Sequence, residues 1–200
     1  MDERSNRKYR RILEIMRDVA GCVDQKMILV GGTALALFYL KHRVSVDLDF
    51  VPVQGDEIKL KEITKGCLTK KGYKTGPGAY KNQFVIQFSD TSIKFEIFHS
   101  EHKINNINEF PFGISKVQVA SLEDIVQMKV ITYQNRKEAR DLYDLIIAFK
   151  HKKISHQTLR DLIKNSGPPI NEEELKDLIT DQKYYKFYKE VFEDVSKTSD

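Results

Sequence analysis

Long apolar runs are absent from this chain of 200 residues. No run approaches the roughly 18–20 apolar residues that a membrane-spanning helix requires. The chain begins MDERSNRKYRR, which has no apolar stretch behind it and is not typical of a secretory signal. We therefore expect no membrane partner and a cytoplasmic protein.

Cysteine is scarce as well, and its placement excludes two classes of protein. The two cysteines, Cys22 and Cys67, lie far apart, with no CxxC pattern and no histidine at ligand spacing. They support neither a disulfide-rich fold nor a zinc site. In a reducing compartment, we expect both to be small buried residues.

The composition is that of a soluble globular chain, with 40% hydrophobic and 31% charged residues. The net charge is +4, and its excess lies in the first half, where residues 1–100 carry 17 basic and 12 acidic side chains. The first predicted helix therefore either contacts an RNA backbone or presents a solvated face. Its basic residues are Arg4, Arg7, Lys8, Arg10 and Arg11.

The pattern of elements changes near residue 120. Strand-like and helix-like segments alternate up to that point, and the periodicity is helical afterwards. An α+β or α/β core with an appended helical part fits this order. The predicted strands cover 27–30, 45–51, 83–88, 91–98 and 116–120, and the segment 72–82 is predicted to be turn-rich and mobile. The predicted helices cover 4–20, 33–42, 56–71, 122–134, 137–151, 156–165, 171–179 and 183–195.

Residues 43–50 alternate between polar and apolar types, as in a strand with one buried face. Two carboxylates about 6–7 Å apart on such a strand repel each other unless solvent or a cation relieves the charge. Mg²⁺ binds one or two carboxylates together with substrate phosphates, so a metal site and a solvated face both explain the pattern. The polar members are Arg43, Ser45, Asp47 and Asp49.

A glycine pair precedes this strand. Gly31 and Gly32 lie where the predicted strand MILV gives way to a helix, and Thr33 follows them. Such a turn lets the backbone approach a phosphate, to which Thr33 can donate a hydrogen bond. A simple tight turn is the alternative.

The order G-G-T-A-L, then R-x-S-x-D-L-D, resembles the first motif of nucleotidyltransferases of the DNA polymerase β superfold. The segments SLEDIVQMK and R-x-x-x-A-R-D-L-Y-D-L resemble the later block of the AbiEii/AbiGii-type toxin family, whose members act in type IV toxin–antitoxin and abortive-infection systems. The resemblance spans roughly residues 27–149. It implies an α+β fold: a polymerase-β-like core with a mixed sheet over 1–120, and a helical part over 121–200 that closes the nucleotide cleft.

The resemblance also implies a site. Asp47, Asp49 and Glu96 would be the catalytic and metal-binding carboxylates, although aspartate is more usual than glutamate at the third place. Mg²⁺ or Mn²⁺ would be the cofactor and a nucleoside triphosphate (NTP) the substrate. The predicted nucleotide-binding residues are Gly31, Gly32, Thr33, Arg43, Ser45, Lys129 and Asp144.

The residues of the later block have their own physical interpretation. Lys129 lies in an otherwise apolar stretch, where its side chain either extends to solvent or pairs with an anion. Asp144 is a candidate partner for Lys129 or for a base, and Asp141 for Arg140 or Lys137.

The function that follows is transfer of a nucleoside monophosphate (NMP) from an NTP to an acceptor hydroxyl. The family suggests an RNA acceptor, tRNA included, or a protein, and an antitoxin as a partner. Two alternatives use the same groups: a nucleotide- or partner-binding module without turnover, and a phosphotransferase that moves the γ-phosphoryl group.

Overall fold

The computed structural model describes the backbone of residues 3–197 and the side chains of residues 7–190. The described residues form two compact units, which divide between Ile125 and Val126. The first unit contains a seven-stranded mixed sheet with helices, and the second is helical. The predicted α+β class is confirmed. No helix among the described residues combines the length and the apolar character needed to cross a membrane.

The sheet has the strand order β3-β4-β5-β2-β1-β7-β6. Strands β2 and β5 are parallel, as are β1 and β7, and the remaining neighbours are antiparallel. The strands are β1 (Met27–Val30), β2 (Asp47–Pro52), β3 (Lys74–Pro77), β4 (Gln83–Gln87), β5 (Ser92–Ile97), β6 (Ile107–Phe112) and β7 (Ser115–Ala120).

The helices follow the predicted segments closely. Helix α2 is only Gly31–Ala34 and continues with wider, π-type winding over Leu35–Leu40. The others are α1 (Glu3–Val23), α3 (Glu57–Lys70), α4 (Leu122–Arg136), α5 (Ala139–Lys150), α6 (His156–Ser166), α7 (Glu172–Leu178) and α8 (Gln182–Lys197).

Two strands were not predicted. The segment 72–82, expected to be turn-rich and mobile, contains the edge strand β3, and β6 forms the opposite edge. Strand β6 is largely exposed and carries Pro111, so its sequence lacks the alternation that marks a half-buried strand. Proline is tolerated there because an edge strand leaves some backbone groups unpaired.

Aromatic rings hold the centre of the sheet together. Phe95 of β5 lies between Phe50 of β2 and Phe84 of β4, with ring centroids 4.9 and 4.7 Å apart. All three side chains are buried. This stack fixes the neighbouring strands that carry the polar residues on the opposite face.

The expectation that the cysteines are separate reduced residues is wrong. Cys22 of α1 and Cys67 of α3 form a disulfide, with their Cα atoms 5.7 Å apart. The bond closes 45 positions of the chain, and sequence spacing alone gives no sign of it. Disulfides persist mainly in oxidising compartments. The cysteines therefore no longer support the expectation of a reducing compartment.

Candidate active site

Strands β2 and β5 bring three carboxylates together. In the parallel register, Asp49 lies opposite Glu96 and Asp47 opposite Lys94. The intervening side chains of β2 point into the core, where Leu48 is fully buried. The three carboxylates therefore share the other face of the sheet, as the alternation predicts.

The ammonium of Lys94 lies among these carboxylates. Its Nζ is 2.9 Å from Glu96 Oε2 and 3.7 Å from both Asp47 Oδ2 and Asp49 Oδ1. One positive charge thus faces three negative ones. Burial alone would lower the pKa of Lys94, but the carboxylates outweigh it and raise that pKa.

Glu96 is held on its other side by amide groups. Asn82 Nδ2 donates to Glu96 Oε1 at 3.4 Å, and Gln83 also donates a side-chain hydrogen bond. Burial alone would raise the pKa of Glu96, yet the bonds from Lys94, Gln83 and Asn82 lower it. Glu96 is therefore held as a carboxylate with a fixed orientation.

The glycine pair lies against the same residues. Gly31 has φ +72°, and a Cβ placed on it would come within 2.8 Å of Asp49 Oδ2. A Cβ on Gly32 would come within 2.7 Å of Arg43 Nη2 and 2.8 Å of Ser45 Oγ. The two glycines thus leave room for the polar groups that the sequence motif places near them.

Arg43 and Ser45 reach this turn from a loop. Strand β2 begins at Asp47, two residues later than predicted, so the strand alternation does not extend to these two residues. Both side chains nevertheless lie beside Gly32.

Thr33 has a backbone partner. Its side chain is 2% exposed, and its hydroxyl donates to the carbonyl oxygen of Asp47. This bond ties the glycine turn to the start of β2. Thr33 therefore positions Asp47, and a direct bond from its hydroxyl to phosphate would require this one to break.

The resemblance to nucleotidyltransferases implies a divalent metal, and the chemical type of the donor set suits one. Three carboxylates supply the oxygen ligands that Mg²⁺ prefers, and the contacts of Lys94 show that one cation reaches all three. Among the residues that the structure describes, however, no three acidic, histidine or cysteine side chains lie at metal-binding spacing. The carboxylates surround the ammonium of Lys94 instead. Their chemical type and their register across the two strands therefore suit a metal, but their spacing does not.

A second charged cluster lies within the second unit. Lys129 Nζ is 2.7 Å from Asp141 Oδ1 and 2.8 Å from Asp144 Oδ2, and all three side chains are almost completely buried. Arg136 Nε donates to Asp141 Oδ2 at 2.7 Å. Burial alone would raise the pKa of Asp141, but the charges of Lys129 and Arg136 lower it.

These contacts decide between the alternatives for the later block. Asp144 pairs with Lys129, whereas Asp141 pairs with Lys129 and Arg136 rather than with Arg140 or Lys137. Arg140 lies near Glu174, with its Nε 3.4 Å from Oε1.

A match to a protein-family model identifies the family of this chain. The model described as nucleotidyl transferase AbiEii toxin, type IV toxin–antitoxin system, matches residues 14–198. The chain belongs to the AbiEii family. No curated protein matches the chain.

Solved structures share the AbiEii chain's fold. JHP933 from Helicobacter pylori is 19% identical, with a TM-score of 0.62 over 100% of this chain and 96% of that one. An antigenic nucleotidyltransferase-like protein from Paracoccidioides brasiliensis is 16% identical, with a TM-score of 0.55 over 82% and 90%. The toxin MenT4 from Mycobacterium tuberculosis is 18% identical, with a TM-score of 0.51 over 78% and 63%. These likenesses confirm the nucleotidyltransferase-like fold.

The basic side chains of α1, considered above for contact with RNA, are partly engaged in other contacts in this AbiEii protein. Arg11 of α1 pairs with Glu14 at 2.8 Å and Asp90 at 3.2 Å, and the side chain of Arg4 lies outside the described residues.

Sequence reasoning missed Lys94. Its alternation with Glu96 on one strand face is visible in the sequence. Its position opposite Asp47 depends on the pairing of two strands more than forty residues apart, which no local pattern specifies.

Proposed function

We propose that this AbiEii protein is a nucleotidyltransferase that uses Mg²⁺, or Mn²⁺, to transfer an NMP from an NTP to an acceptor hydroxyl. The observation that carries the proposal is that Asp47, Asp49 and Glu96 surround the ammonium of Lys94, beside the Gly31–Gly32 turn. Family membership gives independent support.

The carboxylates take different roles in this proposal. Asp47 and Asp49 would hold the metal, with Glu96 as a third ligand. A metal held there would supply positive charge to offset the charge on the α-phosphate and on the departing pyrophosphate. Glu96, held as a carboxylate by Asn82 and Gln83, orients the acceptor hydroxyl and accepts its proton.

The reaction balances without a further co-reactant. The acceptor oxygen forms a bond to the α-phosphorus, while the bond from that phosphorus to the β-bridging oxygen breaks. Pyrophosphate leaves with the electron pair of the broken bond, and the acceptor proton passes to Glu96.

The glycine turn binds the phosphates in this proposal. Gly31 and Gly32 allow close approach of the backbone, and Arg43 and Ser45 lie beside Gly32 with donors for phosphate oxygens. Thr33 keeps its hydroxyl on Asp47 and acts by positioning that strand.

Lys129 and Asp144 are assigned to the nucleotide on the resemblance alone. Lys129 is already neutralised by two carboxylates. A triphosphate would have to compete with these carboxylates for its ammonium.

The acceptor is assigned on the family resemblance alone. We propose an RNA acceptor, with tRNA ends among the possibilities, and we propose that the protein is a toxin with a cognate antitoxin. A protein hydroxyl is the alternative acceptor. Salt distinguishes the two, because affinity for RNA falls steeply as ionic strength rises.

Isosteric variants of the aspartates test the proposal. The full chain is incubated with each α-³²P-labelled NTP, Mg²⁺ and cellular RNA or protein, and the labelled pool is identified. Asp47→Asn and Asp49→Asn should each reduce label transfer by at least about 100-fold, as expected for a lost metal ligand. Asp24→Asn is the control, because Asp24 is an exposed acid with φ +42°, a conformation that asparagine adopts readily.

Circular dichroism and melting temperature would show that each variant folds. Transfer by Asp47→Asn or Asp49→Asn at the wild-type rate would contradict the proposal.

A further inference from the structure

We infer that Lys94 is an internal counter-ion that occupies the metal position of the free protein and leaves it when a divalent metal binds. The inference rests on the proposed function, because it assumes that Asp47, Asp49 and Glu96 are the metal ligands. It assigns Lys94 a role of its own at this site, because a metal must displace the ammonium before it can bind.

The contacts of Lys94 place its ammonium among the three carboxylates that would share a metal ion. Its Nζ reaches an oxygen of each carboxylate, at 2.9 Å for Glu96 and 3.7 Å for the two aspartates. Mg²⁺ binds oxygen at about 2.0–2.1 Å, so a metal shared by the same carboxylates would take the place of the ammonium. Both cations cannot occupy that position.

The backbone explains why Lys94 is there. Lys94 lies opposite Asp47 and two residues before Glu96 on the same face of β5, so the sheet directs its side chain toward the carboxylates. Three neighbouring carboxylates repel one another, and an internal ammonium relieves that repulsion. The lysine therefore stabilises the metal-free site in a form that a metal must displace.

Solvent exposure allows this displacement. The Lys94 side chain is 34% exposed, so its flexible stem can swing outward without opening the core. The triphosphate of an NTP then offers the released ammonium new anionic partners. Divalent metal should consequently bind the free protein weakly and bind more tightly in the presence of NTP.

Metal affinity without nucleotide is the direct test. Mn²⁺ binding to the full chain is measured by electron paramagnetic resonance for wild type and for Lys94→Met, which keeps the apolar stem and removes the charge. The expected result is at least about tenfold tighter Mn²⁺ binding by Lys94→Met, equivalent to ~1.4 kcal/mol.

Lys116→Met is the matched control. Lys116 lies in the same sheet and pairs with Glu109 at 2.9 Å, the distance between Lys94 and Glu96. Its removal should leave Mn²⁺ affinity unchanged. In the Lys94→Met background, Asp49→Asn should abolish the added affinity, which assigns it to the proposed ligands.

Equal or weaker binding by Lys94→Met would overturn the inference, because Lys94 would then serve only to order the carboxylates. That result would leave the proposed function standing if wild type still transfers label from an NTP. Absence of Mn²⁺ binding in both proteins without nucleotide would also overturn the inference. The proposed function would then be decided separately, by whether label transfer from an NTP by wild type requires Mg²⁺ or Mn²⁺.

A second measurement uses only the wild-type protein, so it does not depend on whether Lys94→Met folds. An amine-reactive reagent is applied with and without Mn²⁺, and modified lysines are located by mass spectrometry. Modification of Lys94 should rise severalfold with metal, while that of Lys116 stays constant. Constant modification of Lys94 at saturating metal would contradict the displacement.

Discussion

Gly31 has a positive φ and lies close to Asp49, so a substitution there tests whether the position of that carboxylate matters. Gly31→Ala should cost about 1–2 kcal/mol of stability from the left-handed backbone alone. The new Cβ would also press on Asp49 Oδ2, 2.8 Å away, and displace that carboxylate. We expect NMP transfer to fall by at least about tenfold, measured with α-labelled NTP.

Gly72 offers a matched control for that variant. It has φ +94°, and a Cβ placed on it would have no neighbour within 4 Å. Gly72→Ala should therefore show a similar loss of stability and retain transfer. Equal activity in the two variants would mean that contact with Asp49 does not matter.

Lys129 carries a prediction about stability rather than chemistry. Lys129→Met would leave Asp141 and Asp144, both buried, without one of their cations. Losing one partner of a buried ion pair typically costs about 3–5 kcal/mol. Urea unfolding should show a loss of this size, whereas Lys176→Met, at an exposed pair 3.9 Å long, should change stability little. A loss below about 1 kcal/mol for Lys129→Met would contradict the buried pairing.

At the scale of elements, Asp124 fixes the start of α4. Its carboxylate accepts hydrogen bonds from Ser121 Oγ and from the backbone N–H of Asn105 and Asn106, and lies 2.8 Å from His102 Nε2. The Asp124 N–H in turn donates to Ser121 Oγ, as in a capping box. Burial alone would raise the pKa of Asp124, but these hydrogen bonds lower it to about 2.

Stability should follow that lowered pKa. Because the folded-state pKa of Asp124 lies below the ordinary aspartate value of about 3.9, the ionised carboxylate stabilises the protein above about pH 4, by about 2 kcal/mol. This contribution disappears as the pH falls toward 2. Urea unfolding of wild type and Asp124→Asn should give stabilities that converge over this range. Asp161 of α6 is exposed and accepts a hydrogen bond from Gln157, so Asp161→Asn is a control that should change stability by less than about 0.5 kcal/mol. A difference between wild type and Asp124→Asn that does not vary with pH would contradict this account.

The disulfide links α1 to α3 and should contribute to stability. For a closed loop of 45 residues, constraint of the unfolded chain corresponds to about 3–4 kcal/mol. Reduction should lower the free energy of unfolding of wild type, measured by urea denaturation, by that amount, and lower the urea midpoint accordingly. The double variant Cys22→Ala, Cys67→Ala should be insensitive to the reductant. An unchanged midpoint, with mass spectrometry showing complete reduction, would contradict the prediction.

The elements also show what the sequence could and could not predict. Residues 47–50 alternate cleanly, so the carboxylate face of β2 was predictable from one strand. The pairing of Asp49 with Glu96 and the bond between Cys22 and Cys67 join distant segments, and their placement depends on the sheet and on helix packing. Edge strand β6 was missed because its exposed residues carry no periodic signal.

At the scale of the whole molecule, the two compact units hold different parts of the predicted site. The first contains the three carboxylates, Lys94 and the glycine turn, and the second contains the buried cluster around Lys129. Local motifs predicted the three carboxylates of the first cluster and the pair Lys129 and Asp144 of the second. The position of Lys94 among the carboxylates and the contacts of Asp141 with Lys129 and Arg136 emerged only from the fold.

The position of the label after turnover tests the central claim most directly. The full chain is incubated with Mg²⁺, cellular RNA or protein, and the same NTP labelled on either the α- or the γ-phosphate. We predict α-label on the acceptor and γ-label in pyrophosphate. Label from the γ-phosphate on the acceptor would identify a phosphotransferase, and bound nucleotide without turnover would identify a binding module. Either result would contradict nucleotidyl transfer.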